Sequence, residues 1–246
     1  NHQICGWDQA VHVIADLIHS AVRQAGIQLD DISFIGLGLA GADQERDIQI
    51  LSEGLSKVLA GVPFEIVNDI WIAFWAGSEN SWGAVSVCGT GSNTGVRTPE
   101  GRIFSVRALR YILGNYGGGK HLSDIALHYA FRSNEHTGRF TKLEEHLPAF
   151  CRALDMDDLA MKVLESGYTY HYQFDIPKLV FELADDGDEV CREILWDMGW
   201  EMGTMTGGLI EVAGLAQAEE VPVVLAGSLY VHDENGFIIN GYEKAL

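Results

Sequence analysis

A short apolar segment that ends in a glycine-rich turn constrains the fold of this chain more than any other feature. Gly83–Cys88 is small, mostly apolar and contains two valines, which is typical of a strand buried on both faces. The sequence Gly-Thr-Gly-Ser-Asn follows directly at 89–93. Glycines let a ligand approach the backbone, and successive N–H groups with the Thr90 and Ser92 hydroxyls can surround an anion. The pattern predicts a phosphate-binding loop, and a plain β-hairpin into residues 93–97 is the alternative.

Asp69 lies where a second predicted strand passes into a helix. Residues 63–67 are β-rich, Asn68 and Asp69 follow, and residues 70–77 have a helical pattern. An aspartate at such a position commonly caps the helix by accepting a backbone N–H bond. It also lies at the carboxyl end of a strand, where open α/β sheets bind ligands, and could accept the proton of a substrate hydroxyl. The spacing alone leaves both roles open.

Two more predicted strands end in glycine turns. Residues 32–39 run into a turn that contains Gly41, and residues 221–226 run into Gly227 and Ser228. Segments with helical periodicity separate the strands. Strands that alternate with helices predict an α/β fold, and small glycine turns at the strand ends favour nucleotide binding.

The motifs occur in a characteristic order along the chain. They are Asn-His at 1–2, GLAGAD at 38–43, ND at 68–69, GTGSN at 89–93, LGNYG at 113–117 and AGS at 226–228. As a set, the motifs resemble the N-acetylglucosamine kinases and, more broadly, the BadF/BadG/BcrA/BcrD ATPases of the actin-like ATPase, sugar kinase and Hsp70 superfold. The resemblance implies a two-lobed α/β fold of the ribonuclease H-like type.

The resemblance also implies a phosphotransferase that uses ATP and Mg²⁺. The substrate would be an amino sugar, with N-acetylglucosamine and its 6-hydroxyl favoured. Two alternatives stay open: an ATPase of the BadF type that activates a partner enzyme, and a sugar sensor without catalysis. We expect a cytoplasmic protein that binds neither membranes nor nucleic acid, with a homodimer as one expected assembly.

Residues at matching positions receive roles from the resemblance. Asp69 would be the catalytic base. ATP would contact the second phosphate loop, the adenosine motif and a helix residue beside the adenine, namely Gly89, Thr90, Gly91, Gly227, Ser228 and Ala184. The sugar would contact Asp69 and, in addition, Asn1, His2, Gly41, Gly91, Ser92 and Asn115. No residue is assigned as a metal ligand, because Mg²⁺ would be carried mainly by the ATP phosphates.

The chain departs from the family pattern before its sugar motif. The family usually has Trp-Gly followed by Gly-Asp-Glu-Gly, whereas this chain has Leu109 and Arg110, and then Asn115 in place of the sugar-binding aspartate. An amide can still bond a hydroxyl, but it is neutral and donates as well as accepts. Three glycines before Lys120 suggest a Walker loop. We reject that interpretation because the GxxxxGK[ST] spacing and a preceding strand are missing.

The resemblance also predicts the domain organisation. The first lobe is predicted at residues 1–79 and the second at 80–246, with the crossover at 77–82. The first lobe lacks the Asp-Gly-Gly-Gly-Thr hairpin with which the family begins, and the chain stops soon after the adenosine motif. We therefore expect a fragment that lacks a few tens of residues at each end and cannot catalyse alone. The final helix, at 237–246, is predicted to run back toward the first lobe.

Composition excludes several classes of protein. A formal net charge of −19 with 16 basic residues does not suit a nucleic-acid phosphate backbone. The sequence has no apolar run of the length of a membrane span, and the given N-terminal segment does not have the pattern expected of a signal peptide. Its four cysteines lack CxxC spacing, which argues against a disulfide framework and favours a reducing compartment. His121, Asp124 and His128 could share a helix face, but no fourth ligand is identifiable and we predict no metal site there.

Overall fold

The computed structural model describes residues 5–246. They form two compact units, one that ends at Glu79 and one that spans Asn80–Leu246. Asn1 and His2, which were assigned to the sugar pocket by resemblance, lie outside the described residues. Across residues 5–246, none of the helices is both long and apolar enough to span a bilayer.

The first unit combines helices with a parallel strand pair. Its elements are α1 (Trp7–Ala25), a 3₁₀ turn (Leu29–Asp31), β1 (Ile35–Leu39), α2 (Glu45–Ser56), β2 (Phe64–Asn68) and α3 (Ile70–Gly77). The strands pair in parallel, with Ile35 opposite Phe64 and Leu39 opposite Asn68. Apolar side chains from α1, α2 and the strands form the core around the fully buried Leu55. Because parallel strands end at the same edge, the turn after Leu39 lies beside Asn68.

The second unit contains a mixed sheet. Its strands are β3 (Gly83–Cys88), β4 (Ser92–Arg97), β5 (Ile103–Ser105) and β6 (Val223–Ala226), in the order β5-β4-β3-β6. β3 is almost entirely buried, as its sequence predicts. It pairs antiparallel with β4 and parallel with β6, with Val87 opposite Ala226. The carboxyl ends of β3 and β6 therefore reach the same edge of the sheet.

Helices supply the larger part of the second unit. They are α4 (Gly119–Asn134), α5 (Leu143–Phe150), α6 (Met156–Glu165), α7 (Ile176–Asp185), α8 (Glu189–Val212), α9 (Ser228–Val231) and α10 (Phe237–Ala245), with 3₁₀ turns at Tyr111–Leu113 and Tyr170–Gln173. Their apolar faces form one large core that includes the fully buried Leu147, Ile176 and Leu195. Together, the sheets and helices confirm the predicted α/β class.

The last helix packs within the second unit. α10 lies along α8, and its course toward the first lobe stays a prediction. The physical reason for this packing is a match of small residues: Gly199 on α8 faces the Ile238 carbonyl, and Gly241 on α10 faces the Trp196 carbonyl. Without side chains at these two positions, the helix backbones can lie in direct contact.

Candidate functional site

The sequence left open whether the Asp69 side chain caps a helix, and the structure shows that it does not. Asp69 occupies the first position before α3 with helical backbone angles (φ −61°, ψ −23°), and its side chain makes no capping hydrogen bond. The neighbouring Asn68 does this instead, because its Oδ1 accepts the Ile70 N–H at 3.1 Å. Asp69 is exposed, and partial desolvation raises the pKa of its carboxyl, although the Asp69 and Ile70 N–H groups lower it by a smaller amount.

Asn68 joins the two strand ends of the first unit. Its Nδ2 donates to Asp43 Oδ1 at 2.7 Å and to the Ala42 carbonyl at 3.3 Å. The turn that carries Gly41, which adopts a left-handed φ of 86°, is thereby fixed beside the start of α3. The sequence pattern pointed to Asp69 and gave Asn68 no role. The signal that could have found it is the pairing of β1 with β2, which brings residues 43 and 68 together.

The predicted phosphate loop is the turn of a β-hairpin. Cys88 at the end of β3 pairs with Ser92 at the start of β4, and Gly89, Thr90 and Gly91 form the turn between them. The Gly89 N–H donates to the Gly91 carbonyl at 2.9 Å, which closes the turn. The hairpin alternative from the sequence therefore describes the backbone correctly. A hairpin of this kind does not exclude an anion site, since Thr90 in the turn is exposed.

The start of α4 packs directly on this hairpin turn. The Gly119 N–H donates to the Gly89 carbonyl at 2.7 Å, and the Lys120 N–H donates to the Thr90 carbonyl at 3.2 Å. Gly118 has a φ of 88°, and a Cβ there would lie 2.6 Å from the Gly91 Cα. Only glycine allows this approach. The rejected Walker interpretation left Lys120 without a function, whereas the structure places it beside Thr90.

The adenosine motif reaches the same place from β6. Gly227 precedes α9 with a φ of 109°, and a Cβ on it would lie 2.4 Å from the Cys88 carbonyl oxygen. The next residue, Ser228, has its backbone N and Oγ 4.0 Å from where a Gly89 Cβ would be. Three segments that are far apart in sequence therefore meet at the carboxyl ends of β3 and β6.

These segments line a cavity of about 330 Å³. Its walls come from the hairpin turn, the start of α4, the start of α9 and the residues before and in α7: Gly89, Thr90, Gly119, Lys120, Ser123, Tyr172, Gln173, Phe174, Asp175, Pro177, Ser228 and Leu229. The cavity thus combines backbone N–H groups, hydroxyls, a lysine and a carboxylate. This mixture suits a phosphorylated ligand, because the Thr90 and Ser228 hydroxyls and the Lys120 ammonium group can donate to phosphate oxygens. The Gly89, Gly119 and Lys120 N–H groups are already bonded to backbone carbonyls.

Magnesium would find few protein ligands here. Asp175 is the carboxylate of the cavity wall, and within residues 5–246 no group of three or more His, Cys, Asp or Glu side chains is arranged to hold a metal ion. Mg²⁺ is commonly bound by one or two carboxylates together with substrate phosphates. Asp175 beside a bound polyphosphate fits that pattern.

Asn115 offers an acceptor despite its amide. Its Nδ2 donates to the Ser92 carbonyl at 3.2 Å and to Ser92 Oγ at 3.1 Å. The Oδ1 atom is buried and makes no hydrogen bond to any described residue. Because the donor half of the amide is engaged, the atom without a partner is the oxygen, which can only accept hydrogen bonds, as an aspartate oxygen does.

Ala184 is not part of the cavity wall. It is fully buried in the core face of α7, and its carbonyl accepts the Arg192 Nε–H at 2.7 Å. The structure therefore does not bring its side chain to the cavity that Thr90 and Ser228 share. Its place beside the adenine stays a prediction.

Comparison with known proteins adds to this geometry. The chain is 27% identical over 232 residues to the N-acetylmuramic acid/N-acetylglucosamine kinase of Clostridium acetobutylicum, a match that covers 92% of this chain and 76% of that protein. It is 25% identical over 237 residues to the N-acetyl-D-glucosamine kinase of Dictyostelium discoideum, covering 92% and 74%. No family model matches the chain.

The fold is shared with a solved protein. A candidate N-acetylglucosamine kinase of Chromobacterium violaceum superimposes with a TM-score of 0.72 at 18% identity, covering 98% of this chain and 81% of that one. The chain thus resembles the N-acetylglucosamine kinases. This resemblance holds in sequence with the two kinases and in fold with the solved structure. The mixed α/β fold that the sequence predicts is thus shared with that solved protein.

Proposed function

We propose that this protein is an ATP-dependent kinase that phosphorylates an amino sugar, with N-acetylglucosamine the favoured substrate. The observation that carries the proposal is the cavity formed where the Gly89–Gly91 turn, the start of α4 and Gly227-Ser228 meet. Similarity over 92% of the chain to kinases whose names include N-acetylglucosamine supports the choice of sugar. The reaction would take place in the cytoplasm, where ATP is available.

Phosphoryl transfer in this proposal needs a general base and groups that stabilise negative charge. In the first unit, Asp69 accepts the proton of the sugar 6-hydroxyl as its oxygen attacks the γ-phosphorus and the bond to ADP breaks. In the second unit, the Thr90 and Gly91 N–H groups and the Thr90 hydroxyl stabilise negative charge on the transferring phosphoryl group, because the Gly89 N–H is already bonded within the turn. Mg²⁺ bound to the phosphates would neutralise further charge, with Asp175 as the nearby carboxylate.

Sugar recognition rests on acceptors as well as on shape. The unpartnered Asn115 Oδ1 can accept a hydrogen bond from a sugar hydroxyl. Ser92 fixes the amide in this orientation, so a sugar hydroxyl that reaches the buried oxygen would find an acceptor there. Gly41 and Gly91, which were assigned to the sugar from the motifs, remain predictions, and so does the homodimer.

ADP release by the full-length protein tests the proposal. The protein is given Mg-ATP with N-acetylglucosamine, N-acetylmuramic acid, glucosamine or glucose, and compared with Asp69→Asn and the exposed control Asp16→Asn. We expect release only with an amino sugar, and a loss of about 10²- to 10⁴-fold in kcat in Asp69→Asn because a general base is removed. The base must be deprotonated to act, and the pKa of Asp69 is raised. As the pH is lowered, kcat/KM of the wild type should therefore begin to decrease at a higher pH than for an ordinary aspartate.

Other outcomes would identify a different function. Release of ADP without sugar would favour an ATPase that activates a partner enzyme. Binding of the sugar without any release would favour a sensor. Unchanged turnover in Asp69→Asn would show that another group takes the proton.

A further inference from the structure

Lys120 is the basic residue in the wall of the cavity at the hairpin turn. It is the second residue of α4, and its N–H is held by the Thr90 carbonyl at 3.2 Å. Its position relative to the turn is therefore fixed by backbone contacts. In a chain with a net charge of −19, a cation at this point changes the local potential that an anionic ligand meets.

The Lys120 ammonium group packs over an aromatic ring and does not form an ion pair with a carboxylate of the described residues. Its Nζ is 5.5 Å from the centroid of the Tyr172 ring. Among the described residues, no carboxylate forms an ion pair with it. A lysine that contacts a ring face keeps its three N–H donors for another partner.

A hydrogen-bonded network holds the Tyr172 ring in place. The Tyr172 hydroxyl donates to both oxygens of Asp124, at 2.9 Å each, and Asp124 lies one turn after Lys120 on α4. The buried His171 contacts Asp124 Oδ1 through Nε2 at 2.7 Å. These contacts engage the carboxylate that would otherwise be placed to pair with Lys120. Desolvation and Asp124 together raise the pKa of Tyr172 to about 12, so its hydroxyl stays protonated as the donor.

We propose that Lys120 binds the terminal phosphates of a nucleoside di- or triphosphate, and that Tyr172 is the positioning residue for its side chain. The inference rests on the proposed function for the presence of a nucleotide in this cavity. It goes beyond that function because the motif pattern assigns the phosphates to the 89–91 turn alone. Lysine is suited to this role as a point charge with three donors.

A series of nucleotides tests the role of Lys120. Calorimetry measures the binding of ATP, ADP, AMP and adenosine to the full-length wild type and to Lys120→Met, without sugar. A charged hydrogen bond to phosphate predicts an affinity for ATP and ADP lower by about 10- to 100-fold in the variant, with adenosine binding unchanged. Lys120→Arg should keep most of the affinity. Lys244→Met removes a lysine from α10, outside the cavity wall, and should bind ATP like the wild type.

Tyr172→Phe separates positioning from packing. This variant keeps the ring under Lys120 and loses the bond to Asp124, so we expect ATP affinity to fall by a few-fold and adenosine affinity to stay the same. An equal loss for adenosine and ATP in Lys120→Met would overturn the inference, because it would indicate a change in the whole cavity. Unchanged ATP binding in Lys120→Met would overturn it as well.

The same series distinguishes this inference from the proposed function. If the wild type phosphorylates an amino sugar and Lys120→Met binds ATP normally, only the role of Lys120 is wrong. If the wild type binds ATP through Lys120 but phosphorylates no sugar, the kinase proposal is wrong and the phosphate contact stands. A wild type that binds no nucleotide would overturn both.

Discussion

At the scale of single residues, Asn68 shows how one side chain can organise a strand edge. Its oxygen pairs a backbone N–H at the start of α3, and its nitrogen pairs two acceptors on the turn after β1. The residue is buried, so water does not replace these bonds when they are lost. Asp69 follows it directly in the chain. The position of the proposed base therefore depends on a neighbour that does not itself react.

Removal of the Asn68 amide should loosen this edge. In Asn68→Ala the Ile70 N–H loses its acceptor and Asp43 loses a donor, which we expect to cost about 1–3 kcal/mol. Hydrogen–deuterium exchange of the peptide over 68–77 should become faster, and kcat should fall more than the affinity for ATP. Gln49→Ala removes an exposed bond to Glu53 in the same unit and should change stability by less than about 0.5 kcal/mol. Exchange at 68–77 that matches the wild type would contradict this role for Asn68.

At the scale of elements, the contact between α8 and α10 depends on glycine. A Cβ on Gly199 would lie 1.9 Å from the Ile238 carbonyl oxygen, and one on Gly203 would lie 2.5 Å from the Tyr242 carbonyl oxygen. A glycine inside a helix costs roughly 1 kcal/mol relative to alanine. The close packing of the two backbones offsets that cost. The buried hydrogen bond from the Tyr242 hydroxyl to Thr206 Oγ1, at 2.7 Å, stabilises the contact further.

Two alanine variants of α8 separate packing from helix propensity. Gly199→Ala forces α10 away and should destabilise the second unit by about 1–3 kcal/mol, the range for overpacked cores. Gly208→Ala adds the same methyl group in the same helix where nothing lies within 4 Å, so it should be neutral or stabilise by up to about 1 kcal/mol. Urea unfolding followed by circular dichroism measures both. Equal effects of the two substitutions would show that the contact between the helices does not depend on Gly199.

At the scale of the whole molecule, the cysteines are distributed unevenly between the two units. Cys88, Cys151 and Cys191 are fully buried in the second unit, whereas Cys5 is partly exposed in the first. Burial raises the pKa of Cys88 to about 12 and that of Cys151 to about 11. The pKa of Cys191 is also raised, by burial and by Asp188. Because the thiolate is the reactive form, these three thiols are protected from reagents both by burial and by their raised pKa.

Labelling with an aromatic disulfide at pH 8 should therefore separate the thiols into a fast-reacting and a slow-reacting group. We expect Cys5 to react rapidly in the native protein and the other three to react only when the second unit unfolds. Cys5→Ser should abolish the rapid phase, and urea should release the three slow thiols together. Rapid reaction of Cys88 in the native state would contradict this expectation, because it would show that the end of β3 before the 89–91 turn opens readily to the reagent.

Local patterns in the sequence determined much of this molecule. The buried strand at 83–88, the helix at 70–77 and the hairpin turn at 89–91 follow from side-chain size, apolar runs and glycine, which act over a few residues. The α/β class and the resemblance to sugar kinases follow from the order of such segments. The sequence alone left open whether Asp69 caps a helix, and it did not reveal that Ala184 is buried in the core of the second unit.

Tertiary structure alone decided which distant groups meet. The parallel register of β1 and β2 brings Asn68 to Asp43, and the packing of α4 on the hairpin turn brings Lys120 to Thr90, 30 positions earlier in the chain. The small residues on α8 and α10 likewise allow close contact only when the two helices pack against each other. Such contacts depend on strand register and on the fit of opposing surfaces, and no periodicity within one segment contains that information.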